Sequence, residues 1–254
     1  MNNSTNQYVP SIGLGTYNMT SEEAEKMTYE AIKYGYRHID TAAVYKNEDG
    51  VARALKRIFK ETQLRRDDVF ITTKLWPGGL IKLDRVRDYK DTLKSFEKSL
   101  MRLNLEYIDL YLIHSPHGKN KRIEQWKSLM KLKETEKVKY IGVSNWGINH
   151  INELKENDLP LPDANQIEIH PWSQKPELIK YLRENNIDII AYSSLVPLSS
   201  WRHKVGENSK KTDEMYKLGE SDDSPFKLLA QKYKCTEAQF LLQWAVQQLS
   251  LIHI

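Results

Sequence analysis

Residues 35–48 read GYRHIDTAAVYKNE, a short run that looks buried, RHID, closed by Asp40, with Tyr45 five residues later at the mouth of the next helix. A carboxylate at a strand end and a phenol on the following turn suggest a site. Upstream, residues 21–34 carry apolar side chains at helical spacing (Ala24, Met27, Ala31) behind a Ser21 N-cap, with Glu22 and Glu23 in the first turn. Downstream the two periods alternate. Helices are predicted over 47–59, 86–103, 123–136, 148–156 and 176–185, and strands over 69–73, 107–113, 138–143, 164–169 and 187–192. The run 107–113, YIDLYLI, is too apolar to have a wet face. Strands spaced by helices imply right-handed crossovers and a parallel sheet.

Such a sheet is either open and doubly wound or a nearly complete eight-stranded barrel. Polar residues stand at almost every predicted strand end: Asp40, Lys74, His114, Ser144 with Asn145, Gln166 and Tyr192. A barrel gathers chemistry at the C-terminal ends of many strands, whereas an open sheet concentrates it at one switch point behind a glycine fingerprint. The run Gly13-Leu14-Gly15 lacks the third glycine and a helix start after it. The expected fold is therefore an α/β (β/α)8 TIM barrel in one domain.

Composition fits that size. The chain has 254 residues, 40% hydrophobic and 28% charged, enough to bury a full core as one barrel. The formal charge of +4 comes from lysines interleaved with Glu and Asp, a solvated helical surface rather than a nucleic-acid face. One cysteine, Cys235, cannot form an internal disulfide, which fits a reducing, cytoplasmic setting. The polar N-terminus and the lack of any long apolar run support neither a signal peptide nor a membrane span.

The segments GLGTY, GYRHIDTAAVYKNE, ITTKLWP, YIDLYLIHSP, IGVSNW, NQIEIHPW and AYSSL occur in the order and spacing of the aldo-keto reductases, so the chain resembles that family over residues 10–246. The resemblance implies an NAD(P)H-dependent oxidoreductase, a monomer acting on a small-molecule carbonyl or alcohol. It places the family's catalytic tetrad on Asp40, Tyr45, Lys74 and His114. The positions matching its contacts to a nicotinamide dinucleotide are Gly15, Thr16 and Tyr17 near the ribose, and Ser144, Asn145 and Gln166 for the carboxamide. Tyr192 matches the ring that stacks on nicotinamide, and Ser193 and Leu195 the pyrophosphate turn. NADPH is the expected cofactor, with NADH also admissible.

The residue types suit the chemistry on their own account. Reducing a carbonyl requires hydride at carbon and a proton for the developing alkoxide. A free phenol has a pKa near 10, so a neighbouring ammonium that favours the phenolate makes it a better donor. Lys74 is the candidate, and a buried lysine needs a compensating carboxylate, which Asp40 supplies. His114 can donate a hydrogen bond to the carbonyl oxygen. No side chain carries hydride, so a cofactor must. His114 and His117 lack a carboxylate or thiol at metal-ligand spacing, and no metal is expected. His38 reads as a packed strand residue, His170 as a loop or packing residue and Cys235 as an inert, half-buried thiol.

Two departures from the family pattern stand out. Ser115 follows His114 where many members place a tryptophan wall, which leaves Trp76 as the aromatic side of an open substrate pocket. After residues 244–248, WAVQQ, the family continues with a glycine, an eighth strand and a phosphate-binding lysine, whereas here LSLIHI follows. Residues 249–254 resemble the translation of a transposase adapter used in sequencing libraries. They are expected to be a non-native tail on an incomplete barrel, 1–248, whose eighth strand and final helices are missing or replaced. The alternative is that SLIHI forms a real eighth strand. The charged excursion 196–224 can either fold over the cofactor or stay mobile.

Overall fold

A computed structural model describes residues 9–81, 83–198, 210–248 and 251–253. Its strands are β1 (Ile12–Gly15), β2 (His38–Asp40), β3 (Phe70–Leu75), β4 (Ile108–Ile113), β5 (Val138–Ser144), β6 (Ala164–Glu168), β7 (Asp188–Tyr192) and β8 (Leu251–His253). They pair in chain order, all parallel, and close into a barrel. Helices α1 (Ser21–Lys33), α2 (Glu48–Glu61), α3 (Tyr89–Leu103), α4 (Arg122–Glu134), α5 (Ile148–Glu156), α6 (Pro176–Glu184), α7 (Lys210–Glu220), α8 (Pro225–Tyr233) and α9 (Glu237–Gln248) occupy the crossovers. No helix among the described residues is long and apolar enough to cross a membrane.

The expectation of a missing eighth strand is corrected by β8. Ile252 pairs with Ile12 of β1 and Ala191 of β7, so neither edge is left open at that position. The physical reason is that the segment after α9 is a short β-competent run, and the crossover delivers it beside β7. Within the expected non-native tail, residues 249, 250 and 254 lie outside the described residues, as do 199–209 of the charged excursion.

Helix boundaries follow local chemistry. The cap of α1 is Thr20, one residue before the expected Ser21. Its hydroxyl accepts from Glu23 N at 3.2 Å while the Glu23 carboxylate accepts from Thr20 N at 2.8 Å, a reciprocal capping box. In α3 the Asp88 carboxylate caps the start, and Asn104 in the left-handed region ends it.

Strand period separates two cores. Outward residues such as Ile71, Leu75, Tyr111, Ile113, Ile141 and Val143 pack under the helices. Inward residues Phe70, Leu110, Leu112, Ala164 and Ile190 fill the barrel interior with Val9 and Tyr140. Gly142 is required between β4 and β6, because a Cβ there would lie 2.5 Å from the Ala164 carbonyl oxygen and 2.7 Å from Leu112 Cδ2. His38 is buried in the interior, its ring Nε2 2.9 Å from the Thr72 hydroxyl and its edge against Phe70, so it is a packed strand residue. Because side chains alternate with period two, the inward face of β2, β3 and β6 also carries Asp40, Lys74 and Gln166 one layer above this apolar plug.

Candidate active site

Lys74 is the centre of the mouth. It is 1% exposed, and its ammonium is paired with the Asp40 carboxylate. It also donates to the Thr41 carbonyl at 3.0 Å and to the Tyr45 hydroxyl at 3.3 Å. Each partner arrives by a different local device. Asp40 ends β2, and Tyr45 closes a 3-10 turn, Ala43–Tyr45, that is followed by Lys46 in the left-handed region. The second Asp40 oxygen accepts from the Gln166 amide at 2.9 Å, reaching across the barrel from β6.

Burial and charge contend here with a definite outcome. Burial alone presses the Lys74 ammonium toward its neutral form, but Asp40 and Tyr45 outweigh it and hold its pKa above the ordinary lysine value. For Tyr45 burial wins. It raises the phenol above 10, Lys74 opposes that rise without cancelling it, and Asp40 adds to it. His114 follows β4, and its ring meets those of Tyr45 and Trp76 edge to face, with centroids 5.5 Å and 5.8 Å apart. Burial and the Lys74 charge push its pKa down to about 3, so the imidazole is neutral and can donate one N–H. Its Nδ1 is buried and has no hydrogen-bond partner.

The remaining expected residues surround this cluster. Gly15 ends β1 opposite Asp40, and Thr16 is fully buried. Tyr17, more than half exposed, sets its ring 5.2 Å from that of Tyr45. Across the mouth, Ser144 donates to the Gln166 carbonyl at 2.9 Å, and the Asn145 amide donates to the His114 carbonyl at 3.2 Å. Tyr192 donates to Asn145 Oδ1 at 2.7 Å. Asn145 and Ser193 both sit in the left-handed region, and Ser193 to Val196 forms a tight turn that includes Leu195. Trp76 is held by an N–H bond to Asp84 at 2.8 Å, while the Ser115 hydroxyl lies 2.9 Å from His117 Nδ1. Among the described residues no group of three or more His, Cys, Asp or Glu is placed to hold a metal ion.

A model of the aldo/keto reductase family matches residues 11–253. The chain belongs to this family. It is 37% identical to glyoxal reductase of Bacillus subtilis over 240 residues, covering 94% of this chain and 75% of that protein. It is 38% identical to the 9,11-endoperoxide prostaglandin H2 reductase of Trypanosoma cruzi over the same length, with the same coverage. The crystal structure of a Bombyx mori aldo-keto reductase in complex with NADP superposes with a TM-score of 0.81 at 30% identity, covering 97% of this chain and 79% of that one. As an aldo-keto reductase the chain is an NAD(P)H-dependent oxidoreductase of carbonyl compounds.

Two buried polar residues of the motif escaped the sequence reading. Glu48, fully buried in α2, accepts from the Thr73 hydroxyl at 2.7 Å beside Lys74 and from Arg102 at 2.7 Å. The available signal was a carboxylate three residues ahead of Val51 on the apolar face of α2. Asn47, also fully buried, reads in sequence as an ordinary helix start, and its partners are distant. Asp84, which fixes Trp76, carries no periodic signal at all.

Proposed function

We propose that this chain reduces aldehydes or ketones to alcohols with NADPH, using Tyr45 as proton donor. The observation that carries the reading is the single Lys74 ammonium shared between the Asp40 carboxylate and the Tyr45 hydroxyl. A bound dinucleotide supplies the hydride. The donor set fits such a group: a partly exposed Tyr17 and Tyr192 flank the mouth, and Ser144, Asn145 and Gln166 offer amides and a hydroxyl. The Ser193 to Leu195 turn opens beside them.

Tyr45 remains protonated through neutral pH and gives its proton to the alkoxide oxygen as that oxygen gains charge. Lys74 then stabilises the phenolate left behind, and Asp40 keeps Lys74 charged inside the barrel. Neutral His114 donates to the carbonyl oxygen and fixes its approach. Trp76 forms the apolar side of the substrate pocket beside His114, which Ser115 follows. The likeness to glyoxal reductase favours small aldehydes such as glyoxal as substrates. The modest charge speaks against a nucleic-acid partner, and the lone cysteine fits a cytoplasmic setting. The alternative reading is a non-catalytic scaffold or an inactive fragment on the same barrel, and the gathering of Asp40, Lys74, Tyr45 and His114 gives it no support.

The test is NADPH consumption with glyoxal, compared between the chain and Tyr45→Phe. The expected loss is about 10²–10⁴-fold in kcat with NADPH binding, read by tryptophan quenching, unchanged. Retained turnover in Tyr45→Phe overturns the assignment.

A further inference from the structure

We propose that Asn47 is the positioning residue that locks the proton-donor turn to the cofactor-side loop, so that placing Tyr45 and binding the dinucleotide depend on one side chain. This rests on the function proposed above. Asn47 stands at the N-cap position of α2, where an asparagine ordinarily accepts from a backbone N–H of the first turn. Here its side chain makes no such bond. The amide group instead turns into the barrel wall and is fully buried.

All of its hydrogen-bonding capacity is used there. Nδ2 donates to the Thr16 carbonyl at 2.8 Å and to the Met19 carbonyl at 3.0 Å. Oδ1 accepts from the Thr41 hydroxyl at 3.0 Å and lies 3.3 Å from that of Thr16. Two donors and two acceptors are thereby joined across three segments of chain. Thr16 and Met19 belong to the loop after β1, next to Tyr17. Thr41 opens the turn that ends at Tyr45, and its carbonyl accepts from Lys74 at 3.0 Å. Thr16 N also donates to the Asp40 carbonyl at 2.9 Å. One side chain therefore spans the cofactor-side loop, the Lys74 acceptor and the Tyr45 turn. The Tyr17 and Tyr45 rings then meet edge to face above it.

Loss of the lock frees both loops together. The Tyr45 hydroxyl leaves Lys74, the one group that opposes the upward push of burial on the phenol. Asn47→Ala is accordingly expected to lower kcat with glyoxal about 10- to 100-fold, the range for a displaced reacting group. The Kd for NADPH should rise several-fold, and the alkaline limb of the kcat profile should move to higher pH. Asn47→Asp keeps the acceptor but faces two carbonyls with a carboxylate, and should do at least as much harm. Thr41→Val removes one bond only and keeps the test open if both fail to fold, with smaller changes in the same directions. Ile58→Val, in the same helix and away from the lock, serves as the control that lowers stability alone.

Hydrogen exchange on the same proteins reads the lock without turnover. Protection should fall around residues 16–19 and 41–46 in Asn47→Ala and not in Ile58→Val. If the parent chain neither binds NADPH nor reduces glyoxal, the proposed function fails, while the exchange pattern still decides the lock. If the parent is active and Asn47→Ala matches Ile58→Val in kcat, Kd, pH profile and exchange, the inference is overturned.

Discussion

Lys74→Met separates what the buried ion pair does for folding from what it does for chemistry. Methionine keeps most of the lysine stem but removes the ammonium, which in the native chain serves the Asp40 carboxylate, the Thr41 carbonyl and the Tyr45 hydroxyl. Asp40, 4% exposed, then keeps the Gln166 amide at 2.9 Å but loses the ammonium that compensates its charge. Removing one member of a buried pair costs about 3–5 kcal/mol, because the other charge stays desolvated. Replacing both members is often close to neutral, so Asp40→Asn combined with Lys74→Met should return to within about 1–2 kcal/mol of the native chain. The two substitutions are thus expected to be coupled by at least about 2 kcal/mol.

The assay is urea unfolding of the four proteins, followed by circular dichroism and by the fluorescence of the six tryptophans, whose coincidence checks for a single transition. Turnover with NADPH is measured alongside. The double variant should be nearly as stable as the native chain and as inactive as either single one. A cost below about 1 kcal/mol for Lys74→Met, or strict additivity in the double variant, would refute the reading of Asp40 and Lys74 as a mutually dependent buried pair.

His114 has a folded pKa of about 3 against about 6.5 when unfolded, so the unfolded chain takes up a proton below pH 6.5 that the native chain refuses. Stability should therefore fall by about 2 kcal/mol between pH 6.5 and 5 from this group, and pH-dependent unfolding of His114→Asn should lack that component. Arg102→Ala leaves the buried Glu48 carboxylate with the Thr73 hydroxyl, and since Arg102 is partly solvated the expected loss is about 2–3 kcal/mol by urea unfolding, partly restored by Glu48→Gln. Asp84→Ala releases the Trp76 indole, and steady-state kinetics should show a several-fold higher KM for glyoxal with kcat little changed.

The barrel was legible because period-two alternation and helical spacing are local signals. Helix 148–156 and the runs 138–144 and 188–192 fall within one residue of their predicted bounds for that reason. The tetrad was legible because each member stands at a strand end or on the turn after one, and barrel geometry gathers those ends. What stayed hidden depends on contacts far apart in sequence. Asn47 looked like a helix start because its partners at Thr16 and Met19 are supplied by another loop. Gln166 was read as a cofactor contact, yet its amide also holds Asp40, 126 positions away. The closure by β8 was legible only as the alternative reading of SLIHI, because a three-residue strand offers too little pattern to outweigh the missing family motif.

The opposed influences on Tyr45 bear on the direction of the reaction. From sequence alone, Lys74 was expected to ease deprotonation of the phenol, and it does oppose the shift. Burial is nonetheless the larger influence, so the phenol ends above its ordinary pKa of 10 and is protonated at every neutral pH. A protonated phenol is ready to donate and is unable to accept, which poises Tyr45 for reduction. Reduction should accordingly be independent of pH from about 6 to 9 and decline only as pH rises through the raised pKa, because the donor is lost there. Alcohol oxidation needs the phenolate and should climb with pH over the same range. Neutral His114 contributes no limb, since its proton is lost well below this window. Profiles of kcat in both directions test the point: a reductive profile falling near pH 7 would mean that Lys74 outweighs burial, and that the phenol works as an acid made stronger by its neighbour.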